Sequence, residues 1–250
     1  MSLLEVVVLF LAGVIAGILN SIVGSGGLVT FPAMLAFGYS PLTANMTNNV
    51  GVLPGALSGA YAYRRELKTQ RATVLRLCAL SLIGGLVGAL LLLVLPAAAF
   101  KAIVPVLIGL ALVLIVVQPW IQKRAAGREI KTESNPLLRN TGLFFTGIYG
   151  GYFGAAQGIL LMSILGATIK ENIQRLNSIK IVLAACANLS AGVVFVIRGG
   201  IAWKAAALIA IGSSIGGLIG AHIGRRLPAP VYRTVIVIIG LVAIAKLMTN

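Results

Sequence analysis

Apolar residues fill this chain in long blocks, separated by short polar or glycine-rich interruptions. In the first half the blocks are 3–22, 26–37, 43–63, 72–95 and 99–121. A polar stretch, QKRAAGREIKTESNPLLR at 122–139, divides the chain. The scheme then repeats as 140–153, 156–168, 173–197, 202–224 and 229–248. A helix needs about 20 apolar residues to cross a bilayer. The long blocks therefore predict membrane helices, and the fold class is an all-α, polytopic helical transporter. Blocks 26–37 and 156–168 are too short to cross comfortably. Each is expected to be a half-helix or one arm of a re-entrant hairpin.

The two halves are copies. Residues 81–96 are SLIGGLVGALLLLVLP, and residues 213–228 are SSIGGLIGAHIGRRLP. Phe100-Lys101 answers Tyr232-Arg233, and Gly24–Leu28 answers Gly154–Leu160. Thr47 falls opposite Ser178, and Asn49 opposite Lys180, at an offset of about 131. This gives a first repeat at 1–121, a joint at 122–139 and a second repeat at 140–250. A duplicated, very apolar chain broken by glycine clusters in both halves points to a secondary transporter.

Composition fixes the solvent. Hydrophobic residues make up 59% of the chain and charged ones 10%, with a mean hydropathy of +1.03. A soluble domain carries about 25% charge. The net charge of +15 would suggest nucleic acid in a soluble protein. Here the bases stand in patches between apolar runs, as membrane-surface anchors do, and no nucleic-acid partner is expected. If each half crosses an odd number of times, the halves are inverted, and 15 Lys and Arg residues face one side against 4 on the other. An even number gives 13 against 6. The positive-inside rule favours the larger bias, hence inverted repeats, a cytoplasmic joint and both termini outside. MSLLEVVVLFLAG lacks the basic start of a signal peptide, so it is expected to stay as the first helix. Cys78 and Cys186 lie inside apolar runs without a CxxC or Cys/His cluster, so neither a disulfide nor a metal or other cofactor is implied.

Chemistry is expected where polar groups enter the membrane. The first half supplies Asn20, Ser21, Ser25, Thr30, Thr43, Asn45, Thr47, Asn48, Asn49 and Ser58; the second supplies Gln157, Asn177, Ser178, Lys180, Asn188 and Ser190. Each must be paired or face a wet cavity. A broken helix exposes backbone N–H groups at the start of its second piece, which with the helix dipole make an anion site. Gly24, Ser25, Gly26 and Gly27 leave that backbone open; close helix packing through small residues is the other reading. Lys180 lies seven residues into its run, where it must snorkel, pair or meet an anion. The chain has no Asp, and its five Glu residues lie near termini or loops, which disfavours cation sites and carboxylate proton relays. His222 reads either as a helix-end residue near Arg225 and Arg226 or as a titrating proton carrier. No nucleophile stands beside a base in sequence, so no enzyme is expected.

The stretch GVIAGILNSIVGSGGLVTFPAMLAFGYSPLTANMTNNVGVLPGALSGAYAYRREL resembles the opening motif of the sulfite exporter TauE/SafE family. GIYGGYFGAAQGILL and the following RLNSIKIVLAACANLSAGVVFVIRGGIAW resemble its second copy. The resemblance implies a multi-pass inner-membrane permease of two homologous halves that moves small sulfur-containing anions, such as sulfite, thiosulfate or organosulfonates, usually outward. By position, Gly24–Gly27 and Thr47-Asn48-Asn49 would line the site from one half, and Gly154–Gly158 with Asn177, Ser178 and Lys180 from the other. Two alternatives stay open: an anion channel built on the same site, and a membrane accessory or assembly protein that transports nothing.

Overall fold

The computed structural model of the chain describes residues 1–67, 71–126, 136–223 and the separate positions 237, 238 and 241. Apart from those last three positions, the expected run 229–248 lies outside the described residues. So do Lys68, Tyr232, the middle of the joint, and Arg225, Arg226 and Arg233. Among the described residues the secondary structure is entirely helical. The first half holds α1 (Leu3–Ile22), α2 (Gly27–Ala36), α3 (Pro41–Ala62), the short α4 (Arg64–Leu67), α5 (Arg71–Val94) and α6 (Ala97–Ala126). The second holds α7 (Pro136–Tyr152), α8 (Gln157–Thr168), α9 (Ile173–Arg198) and α10 (Trp203–Ile223). Five of these, α1, α5, α6, α9 and α10, are long and apolar enough to cross a membrane. The protein is a polytopic helical membrane protein, and α2 and α8 are the short apolar pieces that the sequence predicts.

Local chemistry sets the helix starts. Ser40 caps α3, its Oγ accepting from Thr43 N–H at 3.2 Å, with Pro41 as the first helical residue. Asn172 caps α9 in the same way, its Oδ1 accepting from Arg175 N–H at 2.9 Å. Both residues satisfy amides that a helix start leaves unpaired. These caps correct the register of the repeat. Ser40 and Asn172 stand 132 positions apart, whereas Gly24 and Gly154 stand 130 apart. The second copy therefore has two extra residues between break and cap. Asn45 is the counterpart of Asn177, and Asn48, rather than Asn49, is the counterpart of Lys180.

The duplicated glycine blocks are the seams between the halves. α10 packs on α1 and α3, and α5 packs on α7 and α9, so the helix bearing each block lies against the other half. A Cβ on Gly216 would meet the carbonyl of Val14, and one on Gly217 the carbonyl of Gly55. In the other half, Cβ atoms on Gly88 and Gly85 would meet the carbonyls of Ile148 and Ala187. Without a hydrophobic drive between helices in lipid, such small-residue seams let dispersion and backbone contact hold the bundle. The main apolar cluster joins α1, α2, α3, α6, α9 and α10 around Phe31, Phe100, Phe153 and Phe195.

α2 turns the chain back. Tyr39, just past α2, donates its phenol hydrogen to Glu5 Oε1 at 2.7 Å, in the first turn of α1. α1 and α2 thus form a hairpin whose outer ends lie together and whose tip is the glycine break.

Candidate functional site

Both hairpin tips are built alike. α1 stops at Gly24 (φ +84°) and α7 at Gly154 (φ +74°). Each glycine N–H bonds at 2.9 Å to the carbonyl five residues back, Leu19 and Tyr149 respectively. That closure needs a left-handed residue, which glycine adopts without a Cβ clash. The two tips touch: Gly158 N–H donates to the Gly24 carbonyl at 3.1 Å. A Cβ on either glycine would run into the backbone of the other.

Beside this contact, α3 and α9 complete a cavity of about 580 Å³, its opening included. The first half lines it with Asn20, Ser21, Gly24, Gly27, Asn48 and Asn49. The second lines it with Gly154, Gln157, Gly158, Lys180 and Asn188. Val52, Ala56, Phe153, Ile181 and Ala184 supply apolar wall. Lys180, Ala184 and Asn188 recur every fourth residue on one face of α9, and Asn49, Val52 and Ala56 share a face of α3. The wall role of Asn188 was legible from this spacing, since residues four apart share a helix face.

The cavity mixes polar and apolar lining and holds a buried lysine. Lys180 is 1% exposed. Its Nζ donates to the carbonyl of Ile22 at 3.2 Å, at the partly negative C-terminal end of α1. The ion pair found among the described residues, Arg175 with Glu171 at 3.0 Å, lies at the start of α9, away from this wall. Asn48 Oδ1 accepts from Thr30 Oγ1, and a Cβ on Gly27 would come within 3.2 Å of Asn48 Nδ2. Asn49 Nδ2 donates to Asn188 Oδ1 at 3.2 Å. Gln157 Nε2 donates to the Thr146 carbonyl at 3.2 Å. Among the described residues no group of three potential metal ligands gathers.

Five residues expected at the site stand off the wall. Thr47 Oγ1 accepts from Ala202 N–H at 3.0 Å, fastening the α9–α10 turn to α3. Asn177 Nδ2 donates to the Ser21 carbonyl at 3.0 Å, and Ser178 Oγ to the Arg175 carbonyl at 2.7 Å. Gly26 N–H donates to Asn20 Oδ1 at 2.7 Å. Ser25 Oγ is buried and makes no hydrogen bond. The amides of Gly24 and Gly26 are thus committed within the chain. A cradle of all four Gly24–Gly27 amides does not form, because the helix stop and Asn20 take two of them.

The sequence model of the family described as sulfite exporter TauE/SafE matches residues 9–247. A probable membrane transporter protein of Escherichia coli, YfcA, is 27% identical over 242 residues, 96% of this chain and 88% of that protein. A probable membrane transporter protein of Haemophilus influenzae is 27% identical over 241 residues, covering 96% and 93%. One from a Sinorhizobium species is 27% identical over 252 residues, covering 97% and 92%. A cavity between two glycine-broken hairpins and a match over nearly the whole length agree: this chain is a membrane transporter, not an enzyme, and belongs to the TauE/SafE sulfite exporter family.

Proposed function

We propose that the protein is a secondary transporter that exports a small sulfur-containing anion, such as sulfite, thiosulfate or an organosulfonate, by alternating access. One observation carries the reading: Lys180 stands fully buried on the wall of a cavity between the halves, with a backbone carbonyl as its partner and, among the described residues, no carboxylate. A buried ammonium so placed is costly unless an anion completes it. Asn48, Asn49, Asn20 and Gln157 surround the space with neutral amides that can donate to oxyanion oxygens. The family description and the relatives' names, all transporters, support the same reading.

The halves are inverted in this proposal, with both termini outside and the joint in the cytoplasm. The α1–α2 hairpin begins and ends on one side, which leaves α3, α5 and α6 as the three crossings of the first half. An inside-negative potential then favours anion exit by about 2.3 kcal/mol per charge per 100 mV, and no coupling ion is required.

A thermal-shift screen of purified protein against sulfite, thiosulfate, sulfonates and sulfate tests the site. Efflux from proteoliposomes tests transport. Saturable binding and saturable efflux of one of these anions are the expected results. Efflux at channel-like rates would overturn alternating access, and no movement of any of them would overturn transport of this substrate class.

A further inference from the structure

Two asparagines of this fold bond across the halves in a reciprocal way. Asn45, on α3 of the first half, donates Nδ2 to the carbonyl of Tyr152, the last residue of α7 in the second half, at 2.9 Å. Asn177, on α9 of the second half, donates Nδ2 to the carbonyl of Ser21, in the last turn of α1 in the first half, at 3.0 Å. The two are counterparts, 132 positions apart, each in the second turn of its helix. Each ties a core helix of one half to the broken helix of the other, just before the glycine stop.

Their positions flank the cavity. Asn45 precedes Asn48 by three residues and Asn177 precedes Lys180 by three, close to one helical turn each, and Asn48 and Lys180 line the wall. α3 and α9 start from opposite ends of the bundle in an inverted arrangement. Asn45 therefore lies beyond the cavity on the side where α3 begins, and Asn177 beyond it on the side where α9 begins. We infer that Asn45 and Asn177 are paired positioning residues, the Asn45–Tyr152 bond acting as a latch that narrows the cavity on the outer side and the Asn177–Ser21 bond as one that narrows it on the cytoplasmic side. In this structure both latches are made, and the hairpin tips touch between them. Releasing α7 from α3 opens one path, and releasing α1 from α9 opens the other. A ligand or mutation that breaks one latch shifts the balance of two states by the worth of one neutral hydrogen bond, about fivefold. This inference rests on the inverted, alternating-access reading above.

The test is the sidedness of access. Cys78 and Cys186 are replaced by alanine, Ala184→Cys places a reporter on the cavity wall, and a membrane-impermeant thiol reagent is applied to oriented vesicles from either side. Asn45→Ala is expected to raise labelling from the outside about fivefold, and Asn177→Ala to raise it from the cytoplasmic side. The double variant falls between them. Asn45→Ser and Asn177→Ser, which keep a hydroxyl donor, move the same way by less, and serve if an alanine variant does not fold. A purely structural role lowers the thermal midpoint of both variants without changing sidedness, and that result overturns the proposal. A shift to the same side in both variants overturns it too, and with it the inverted arrangement. The labelling needs no anion, so a wild-type protein that binds no sulfur oxyanion sinks the substrate reading and leaves the latches standing.

Discussion

Lys180 Nζ sits 3.2 Å from the carbonyl of Ile22, the last residue of α1. Cation and helix end satisfy one another incompletely: an ammonium has three hydrogens to donate, and the helix end carries only about half a charge. Under the proposed function, an anion in the cavity competes for the same ammonium. Lys180→Met removes a buried charge without changing the length of the side chain much. A buried charge without a charged partner is costly, so an apolar group of similar volume relieves that cost. The variant is therefore expected to unfold at the same temperature as the wild type or higher when no anion is present. Its anion-dependent thermal shift is expected to vanish. A retained shift would show that the ammonium serves α1 alone.

Much of this arrangement is legible in the residues themselves. Block length separates α2 and α8 from the spanning helices, because a run of 10–12 apolar residues cannot cross a bilayer. The glycines at 24 and 154 mark the breaks, since a left-handed stop favours glycine. The site is less legible. Thr47 and Ser178 are polar residues inside apolar runs, yet each is spent on a backbone partner, and sequence does not say which polar group faces a cavity and which a carbonyl. The pairing of the repeats slipped by one residue for a related reason. Two extra residues lie between Gly154 and the Asn172 cap, and only the caps reveal where they fall. The crossing of the halves, α10 on α1 and α5 on α7, is a long-range fact that periodicity does not carry.

The glycines should separate strain from crowding. Gly38 has φ +86° and open space around its missing Cβ, so Gly38→Ala costs the left-handed penalty alone, about 1–2 kcal/mol. Gly24→Ala adds a collision with the backbone of Gly158, of order 1–3 kcal/mol more. Gly216→Ala has no such strain but pushes into the Val14 carbonyl. Gly109, in α6 with nothing near its missing Cβ, is the control. Thermal unfolding in detergent should rank the variants Gly109→Ala, Gly38→Ala, Gly24→Ala in order of falling midpoint, with Gly216→Ala below Gly109→Ala.

Thr47 offers a clean division between fold and site. Thr47→Val keeps the shape and removes the acceptor for Ala202 N–H. Leaving that amide unpaired costs about 1–3 kcal/mol, so the thermal midpoint should fall while anion affinity stays unchanged. Ala184→Leu does the reverse. It fills the cavity beside Lys180, so binding should be lost with the fold intact. Isothermal titration with the anion found in the screen reads both outcomes. Weakened binding in Thr47→Val would return that hydroxyl to the site.

The hairpin makes a topological prediction that the charge count alone does not. Because Tyr39 reaches Glu5, the start of α1 and the start of α3 lie at one end of the bundle, although a full helix and a half-helix separate them in sequence. In a protein lacking Cys78 and Cys186, Ser2→Cys and Ser40→Cys should therefore react with an impermeant thiol reagent from the same side, the outside. Arg65→Cys, past the far end of α3, should react from the cytoplasm. In the second half, inverted under the proposed arrangement, Asn172→Cys should also react from the cytoplasm, and Gly199→Cys, after α9, from the outside. Opposite sides for Ser2 and Ser40 would mean that α1 and α2 together cross the bilayer. Each half would then cross an even number of times, and the two halves would run parallel.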